Sequence, residues 1–210
     1  MEPRLLPMFP LGTVLFPYGL LPLHVFEPRY RMMMRECLRG DQEFGVVLIE
    51  RGSEVGGGDV RFDIGTRARI VRATELDDGR YALTVVGVRR IRVTEWLPDD
   101  PYPRALVVDV DEAALDAGDD ADARAASERV GELLRRLFAL WAEFEPRVAD
   151  VRVELAAEPA QAAFEAAATA PFGPLDAQRV LEADATPARL ALLEQLLHDE
   201  IELLEARRSG

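Results

Sequence analysis

Residues 5–26 read LLPMFPLGTVLFPYGLLPLHVF, and the reading of this apolar stretch decides the fold. Its hydropathy would suit a membrane span or an export leader. Four prolines, Pro7, Pro10, Pro17 and Pro22, break any helix through it, and lipid does not tolerate the unpaired backbone that a broken helix leaves. A leader also needs a basic start, and only Arg4 precedes the stretch. Proline is compatible with short extended segments, so Leu5–Phe9, Thr13–Phe16 and Leu20–Val25 are expected as strands buried on both faces. They turn at Leu11-Gly12 and Pro17-Tyr18-Gly19. No other apolar run approaches the roughly 20 residues of a span, which points to a cytoplasmic protein with no membrane partner.

Working outward, Glu27-Pro28 is a helix start with proline preset at the first position, and Gly40 is the matching stop. Phe44–Glu50 has the length and composition of a strand, and the glycine-rich stretch 52–59 reads as a surface loop. Ile64–Leu76 and Tyr81–Leu97 flank Asp78-Gly79, a strong hairpin signal. Gly87 interrupts the alternation of Tyr81, Leu83 and Val85, which predicts a bulge or bend there. Ala105–Val110 supplies one more strand. After it the period becomes helical. Val130, Leu133, Leu134, Leu137, Trp141 and Phe144 share a face that Pro146 ends, and Arg147–Ala157, Ala160–Ala170 and Leu175–Ala183 are expected as shorter helices. Thr186-Pro187 opens a last helix striped by Leu190, Leu193, Leu197, Ile201 and Leu204.

These elements give an α+β chain: a β-rich domain over residues 1–110, forming a small barrel or bent sheets with one helix, and a helical subdomain over 125–210. Between them, residues 111–124 read DEAALDAGDDADAR, an acidic linker or helix lead-in.

Of the chain's 210 residues, 38 are acidic and 25 basic, for a net charge of −13. Every basic residue is arginine. Without lysine there is no phosphate loop ending in Gly-Lys-Ser/Thr and no Ser–Lys nucleophile pair. Two histidines and one cysteine cannot form the usual zinc site within one chain, so neither metal nor cofactor is expected. The charge is uneven: 15 arginines and 16 acids lie in residues 1–110, and 10 arginines and 22 acids in 111–210. Nucleic-acid binders concentrate positive charge, and this chain does the reverse in its second half.

The residues then carry a family resemblance. Leu6-Pro7-Met8-Phe9-Pro10-Leu11, Val14-Leu15-Phe16-Pro17 and Leu21-Pro22-Leu23-His24-Val25-Phe26-Glu27-Pro28-Arg29-Tyr30 resemble the opening signature of the N-terminal, substrate-binding domain of Lon proteases. Gly65–Ile70 and Gly87–Val93 resemble its glycine-led strands. Asp176–Glu182 with Arg189-Leu190 resembles elements of its helical end. The resemblance implies a PUA-like β-domain, a helical subdomain and a role in engaging polypeptides. The ATPase and Ser–Lys peptidase that follow this domain in Lon have no counterpart within this length and composition, so a stand-alone, non-catalytic recognition module is expected.

Candidate sites follow from composition and pattern. Met32, Met33 and Met34 are consecutive on a helix, about 100° apart, and cannot all face one core. With Phe16, Tyr18, Leu20 and Leu21 around the Pro17–Gly19 turn, they are the candidate apolar surface for polypeptide segments or a partner protein, a separate protease among them. Arg89, Arg90 and Arg92 are the alternative, an RNA-contacting strip, against which stands pairing with acids across the hairpin. A hydrolase built on His24 or Cys37 ranks last, because no third triad member lies near. Glu27 suits a helix N-terminus with Arg31 as its ion-pair partner, Cys37 falls on a core face, and Ser53 lacks a Gly-x-Ser-x-Gly setting. The oligomeric state is left open.

Overall fold

The computed structural model describes residues 2–52, 58, 60–112, 114 and 116–209. Ser53, most of the 52–59 loop and Leu115 lie outside them. The chain divides into two compact units, residues 1–111 and 112–210.

Among the described residues the first unit holds six strands and one helix: β1 (Arg4–Leu11), β2 (Leu20–Val25), α1 (Pro28–Arg39), β3 (Glu43–Arg51), β4 (Val60–Glu75), β5 (Tyr81–Leu97) and β6 (Arg104–Asp109). They form one sheet in the order β2-β5-β4-β3-β1-β6, and a further β5–β6 pairing closes β1, β3, β4, β5 and β6 into a ring. All pairings are antiparallel except β1 with β3. The long strand β5 changes partner along its length. Its first half, Tyr81–Val86, pairs with β2, and its second half, Ile91–Leu97, pairs with β6.

Gly87 marks the changeover. It faces Ala68, the next β4 residue Arg67 faces Arg89, and the bulge therefore falls at Val88. The chain at Pro17 crosses directly over Gly87: Tyr18 N–H donates to the Gly87 carbonyl at 2.8 Å, and Gly87 N–H donates to the Gly19 carbonyl at 2.9 Å. Residues 13–16, expected as a strand, have no ladder partner. They run as irregular chain that delivers Leu15 and Phe16 to the interior before the Pro17 crossing.

Two apolar clusters fill the unit. The larger gathers Phe9, Leu23, Val25, Phe44, Ile70, Leu83 and Val85 with Tyr30, Met33, Met34 and Cys37 of α1, and the smaller packs Leu6, Met8, Val47, Ile91, Val93 and Val107. The strand β2 buries only Leu23 and Val25. Leu20, Pro22 and His24 on its other face are exposed, so the expectation of burial on both faces fails for this strand. Helix α1 runs between Pro28 at its first turn and Gly40 at its C-cap, as expected. Glu27 pairs with Arg29, at 3.2 Å, and not with Arg31, which packs over Gly79 of the hairpin turn.

The second unit is helical: α2 (Ala117–Trp141), a 3₁₀ turn at Pro146–Val148, α3 (Pro159–Thr169), α4 (Pro174–Glu182) and α5 (Thr186–Ser209). The acidic stretch supplies the cap of α2. The Asp116 carboxylate accepts from Gly118 and Asp119 N–H at 3.1 Å each, and Asp119 and Asp120 lie in the first turn, where negative charge suits the helix dipole. Four alanines of α3 (Ala162, Ala163, Ala166 and Ala167) are buried, so neighbouring helices approach closely. Leu190, Leu193, Leu196, Leu197 and Ile201 form the buried stripe of α5. The Thr186 hydroxyl is buried without a hydrogen-bond partner among the described residues, so it does not cap that helix as expected.

The expected helix over 147–157 is absent beyond the 3₁₀ turn. Val148, Val151 and Val153 are β-branched and disfavour it, and side chains hold the segment in an irregular path. Arg124 donates to the Ala157 carbonyl at 2.9 Å, and Ala156 N–H donates to the Glu165 carboxylate at 2.7 Å. Among the described residues no helix is long and apolar enough to cross a membrane.

Candidate functional site

The ring of the first unit closes over only part of its height. Where β6 pairs with β5 the wall is continuous. Where β2 replaces β6 beside β5, the sheet ends, and a groove of about 250 Å³ lies there. Residues 21–27 line it, from β2 into the start of α1, opposite Phe9 and Leu11 of β1 and Thr13. Tyr30 of α1 also lines it, with its ring 4.4 Å from that of Phe9 between centroids. Arg29 covers Tyr30, with its guanidinium 4.5 Å from the ring centre, while it binds Glu27. The groove is mainly apolar, with Thr13, His24 and Glu27 as its polar lining, and the Glu27 charge is met by Arg29.

The Pro17–Gly19 turn and the first residue of β2, which precede the groove-lining Leu21 in the chain and do not themselves line the groove, present two apolar side chains to solvent. Tyr18 is 50 % exposed and Leu20 67 %. Tyr18 holds φ at 65°, a left-handed conformation uncommon for a residue with a side chain. Its hydrogen bond to Gly87 and that of Gly19 N–H to the Phe16 carbonyl, at 3.1 Å, hold it there. The turn is thus a fixed support for an exposed aromatic ring.

The structure brings together only part of the candidate surface. Tyr18, Leu20 and Leu21 lie along the turn and the start of β2. Phe16 is buried, and Met33 and Met34 are fully buried in the core beside Tyr30 and Cys37. These three are packing residues: α1 must turn one face, with Met33 and Met34, to the sheet, and the irregular chain before the Pro17 crossing carries Phe16 inward. Met32, on the other face, is 45 % exposed but does not line the groove. Sequence reasoning passed over Phe26, which is 54 % exposed at the groove. A signal for it exists. Phe26 precedes the N-cap, where an apolar residue usually packs against the fourth helical residue, and here that residue is Arg31, which offers no apolar partner.

The arginine strip does not assemble. Arg92 is exposed, Arg90 is buried, and Arg89 is engaged by Asp111 at 3.0 Å and Asp109 at 3.8 Å. Cys37 is buried, its Sγ 3.6 Å from the Glu43 carbonyl, and burial together with the Glu36 charge pushes its thiol up to about 12, far from the reactive thiolate. His24 is exposed on β2, and the nearby Glu27 is committed to Arg29.

Comparison with known proteins agrees with the resemblance read from the sequence. The family model described as the ATP-dependent protease La (LON) substrate-binding domain matches residues 5–199. The chain is 31% identical over 206 residues to the Lon protease of Anaeromyxobacter dehalogenans and 32% identical over 206 residues to Lon protease 2 of Myxococcus xanthus. Each match covers 97% of this chain and 24% of the relative, so the chain spans about a quarter of the length of these proteins. Among solved structures, the Lon N-terminal domain protein from Xanthomonas campestris is similar with a TM-score of 0.63 at 26% identity, over 93% of this chain and 98% of that one. The N-terminal domain of the Mycobacterium avium complex Lon protease shares the fold with a TM-score of 0.64 at 17% identity, over 93% and 99%.

Proposed function

The chain belongs to the family of ATP-dependent protease La (LON) substrate-binding domains, and from that premise we propose that it is a non-catalytic module that captures exposed apolar segments of polypeptides in the cytoplasm and hands them, as an adaptor, to a separate protease. The observation that carries this reading is the exposure of Tyr18 on the fixed Pro17–Gly19 turn and of Leu20 at the start of β2, the strand whose residues from Leu21 on line the mainly apolar groove. Displaying two large apolar side chains on a braced turn serves no packing purpose and suits recognition of apolar surface that folded proteins hide. Apolar contacts are non-directional and uncharged, and so accept many sequences.

Fluorescence anisotropy with a reduced and alkylated, permanently unfolded model protein tests the reading. Binding to the unfolded form, none to the same protein when folded, and loss of binding in Leu20→Ser and Tyr18→Ser support it. Equal binding to both forms, or none to either, overturns it. The adaptor role is tested by adding the module to a Lon-type protease and following degradation of that unfolded substrate. A faster rate that disappears in Leu20→Ser supports it, and an unchanged rate removes it.

A further inference from the structure

We propose that the open edge of β2 takes an extended, uncharged polypeptide segment as an added strand, so that the module reads unpaired backbone as well as apolar side chains. This rests on the polypeptide-capture reading above and specifies how the segment is held.

The strand order sets up the edge. In the sheet β2 pairs with β5, and among the described residues with no other strand, because β6 takes the place beside β5 only beyond Gly87. The phase of the edge follows from the changeover. The Gly19 carbonyl accepts from Gly87 N–H and therefore faces β5. In an antiparallel ladder, backbone groups alternate between the partner and the far side. Leu21, Leu23 and Val25 thus direct their N–H and C=O groups at β5, and Leu20, Pro22 and His24 direct theirs outward. Pro22 independently supports that phase. It has no N–H, and proline within a sheet belongs where the missing donor would face away from the partner strand. The outward row is the N–H of Leu20 and His24 and the carbonyls of Leu20, Pro22 and His24.

An edge of this kind is normally guarded by charged side chains, by proline, by a bulge or by a covering element, and β2 carries one such guard, Pro22, which removes a single outward donor and leaves those of Leu20 and His24. The strand LLPLHV carries no Asp, Glu, Lys or Arg, and its pairing with β5 runs without a register shift from Leu20 to Val25. The groove along it is mainly apolar, and the charges at its end, Glu27 and Arg29, are paired with each other. An uncharged segment fits such a surface, and a strongly charged one would be desolvated there without a counter-charge. A strand added at this edge supplies main-chain hydrogen bonds whatever its sequence, while its alternate side chains reach the groove, which is the division of labour in strand addition generally. A second copy of this chain fits less well. Pairing of β2 with itself about Pro22 leaves each copy short of a donor, whereas a foreign segment meets that gap once.

The test uses the unaltered protein and labelled uncharged octapeptides of alternating Val, Leu and Thr. In two further peptides, N-methyl groups replace the amide hydrogens at every second residue, in one phase or in the other. Strand addition predicts that one phase weakens binding at least about tenfold, since several hydrogen bonds of modest net strength are lost together, and that the other stays within about twofold. It also predicts that the Leu20 and His24 amides gain hydrogen-exchange protection on peptide addition. Equal weakening in both phases, or binding without protection at Leu20 and His24, overturns strand addition and leaves apolar capture standing. Failure of every unfolded probe to bind removes both. Protection of those two amides that rises with protein concentration and needs no peptide assigns the edge to a second copy and overturns the proposal.

Discussion

A Cβ atom on Gly87 would lie 2.0 Å from the carbonyl oxygen of Phe16. No side chain fits there, because the obstruction is backbone and the crossing chain is itself tied to Gly87 by the Tyr18 and Gly19 hydrogen bonds. Gly87→Ala is expected to destabilise the first unit by about 3 kcal/mol, the upper range for inserting a methyl group into filled space. The same change displaces the 16–19 turn. Denaturant unfolding measures the first effect, and anisotropy with the unfolded probe under native conditions measures the second.

Phe16 and Leu20, four residues apart, separate packing from display. Phe16→Ala removes a buried ring and is expected to cost about 3 kcal/mol of stability. Leu20→Ser lies on the exposed face and is expected to change stability by less than about 0.5 kcal/mol while reducing polypeptide binding. Met33→Ala and Met32→Ala should divide in the same way for stability. Parallel unfolding curves of the four variants check the division.

Glu43 ties the start of the chain to β4. Its carboxylate is 7% exposed and accepts from Arg69 at 2.8 and 3.2 Å and from Arg4 at 3.1 Å, with Arg67 at 3.6 Å. Burial alone would raise its pKa, but the Arg69 hydrogen bonds and the charges of Arg67, Arg4 and Arg69 outweigh burial and hold it below the usual carboxylate range. A depressed value in the folded state means that the stabilisation is fully present above the ordinary glutamate pKa, about 4.3, and is lost as the pH falls through the lowered value. Glu43→Gln is expected to cost about 2 kcal/mol near pH 7, at the low end for a buried pair because Arg4 and Arg69 remain partly in water. It should also flatten the fall in stability below about pH 4. Urea unfolding between pH 3 and 7 tests both.

Arg189 is the corresponding tie of the second unit. Its side chain is 0% exposed, donates to the carbonyls of Ala183 at 2.7 Å and Val180 at 3.4 Å, pairs with Glu112 at 3.0 Å and lies 4.0 Å over the Phe164 ring. A planar fork satisfies these directions together and a single ammonium does not. Arg189→Lys is expected to destabilise this unit by about 3 kcal/mol and leave the first unchanged. The two tryptophans, Trp96 and Trp141, fall one in each unit, so fluorescence of Trp96→Phe and Trp141→Phe backgrounds reports each separately.

Elements set by local chemistry were readable from the sequence. Pro28 and Gly40 bound α1, and Asp78-Gly79 places the hairpin turn, where Gly79 holds φ at 75°. Elements set by distant contacts were not. Residues 13–16 have the composition of a strand, but the crossing at Gly87 leaves them no partner. Residues 147–157 are held off a helix by Arg124 and Glu165, which the local sequence does not announce. For the candidate site, Tyr18 and Leu20 stood out as apolar residues at a turn. The groove needs Phe9, Leu23 and Tyr30 to meet across the fold, and no local pattern contains that meeting.

The change of partner along β5 separates the proposed recognition edge from the architecture of the ring. Each link of the ring, β1–β3, β3–β4, β4–β5, β5–β6 and β6–β1, is complete without β2. Leu23 and Val25 seat the strand on the core, while Leu20, Pro22 and His24 on its outer face can be exchanged for other side chains without breaking a link of the ring. On the proposed reading, the outer face of one strand can be retuned for what it binds while the ring behind it stays constant.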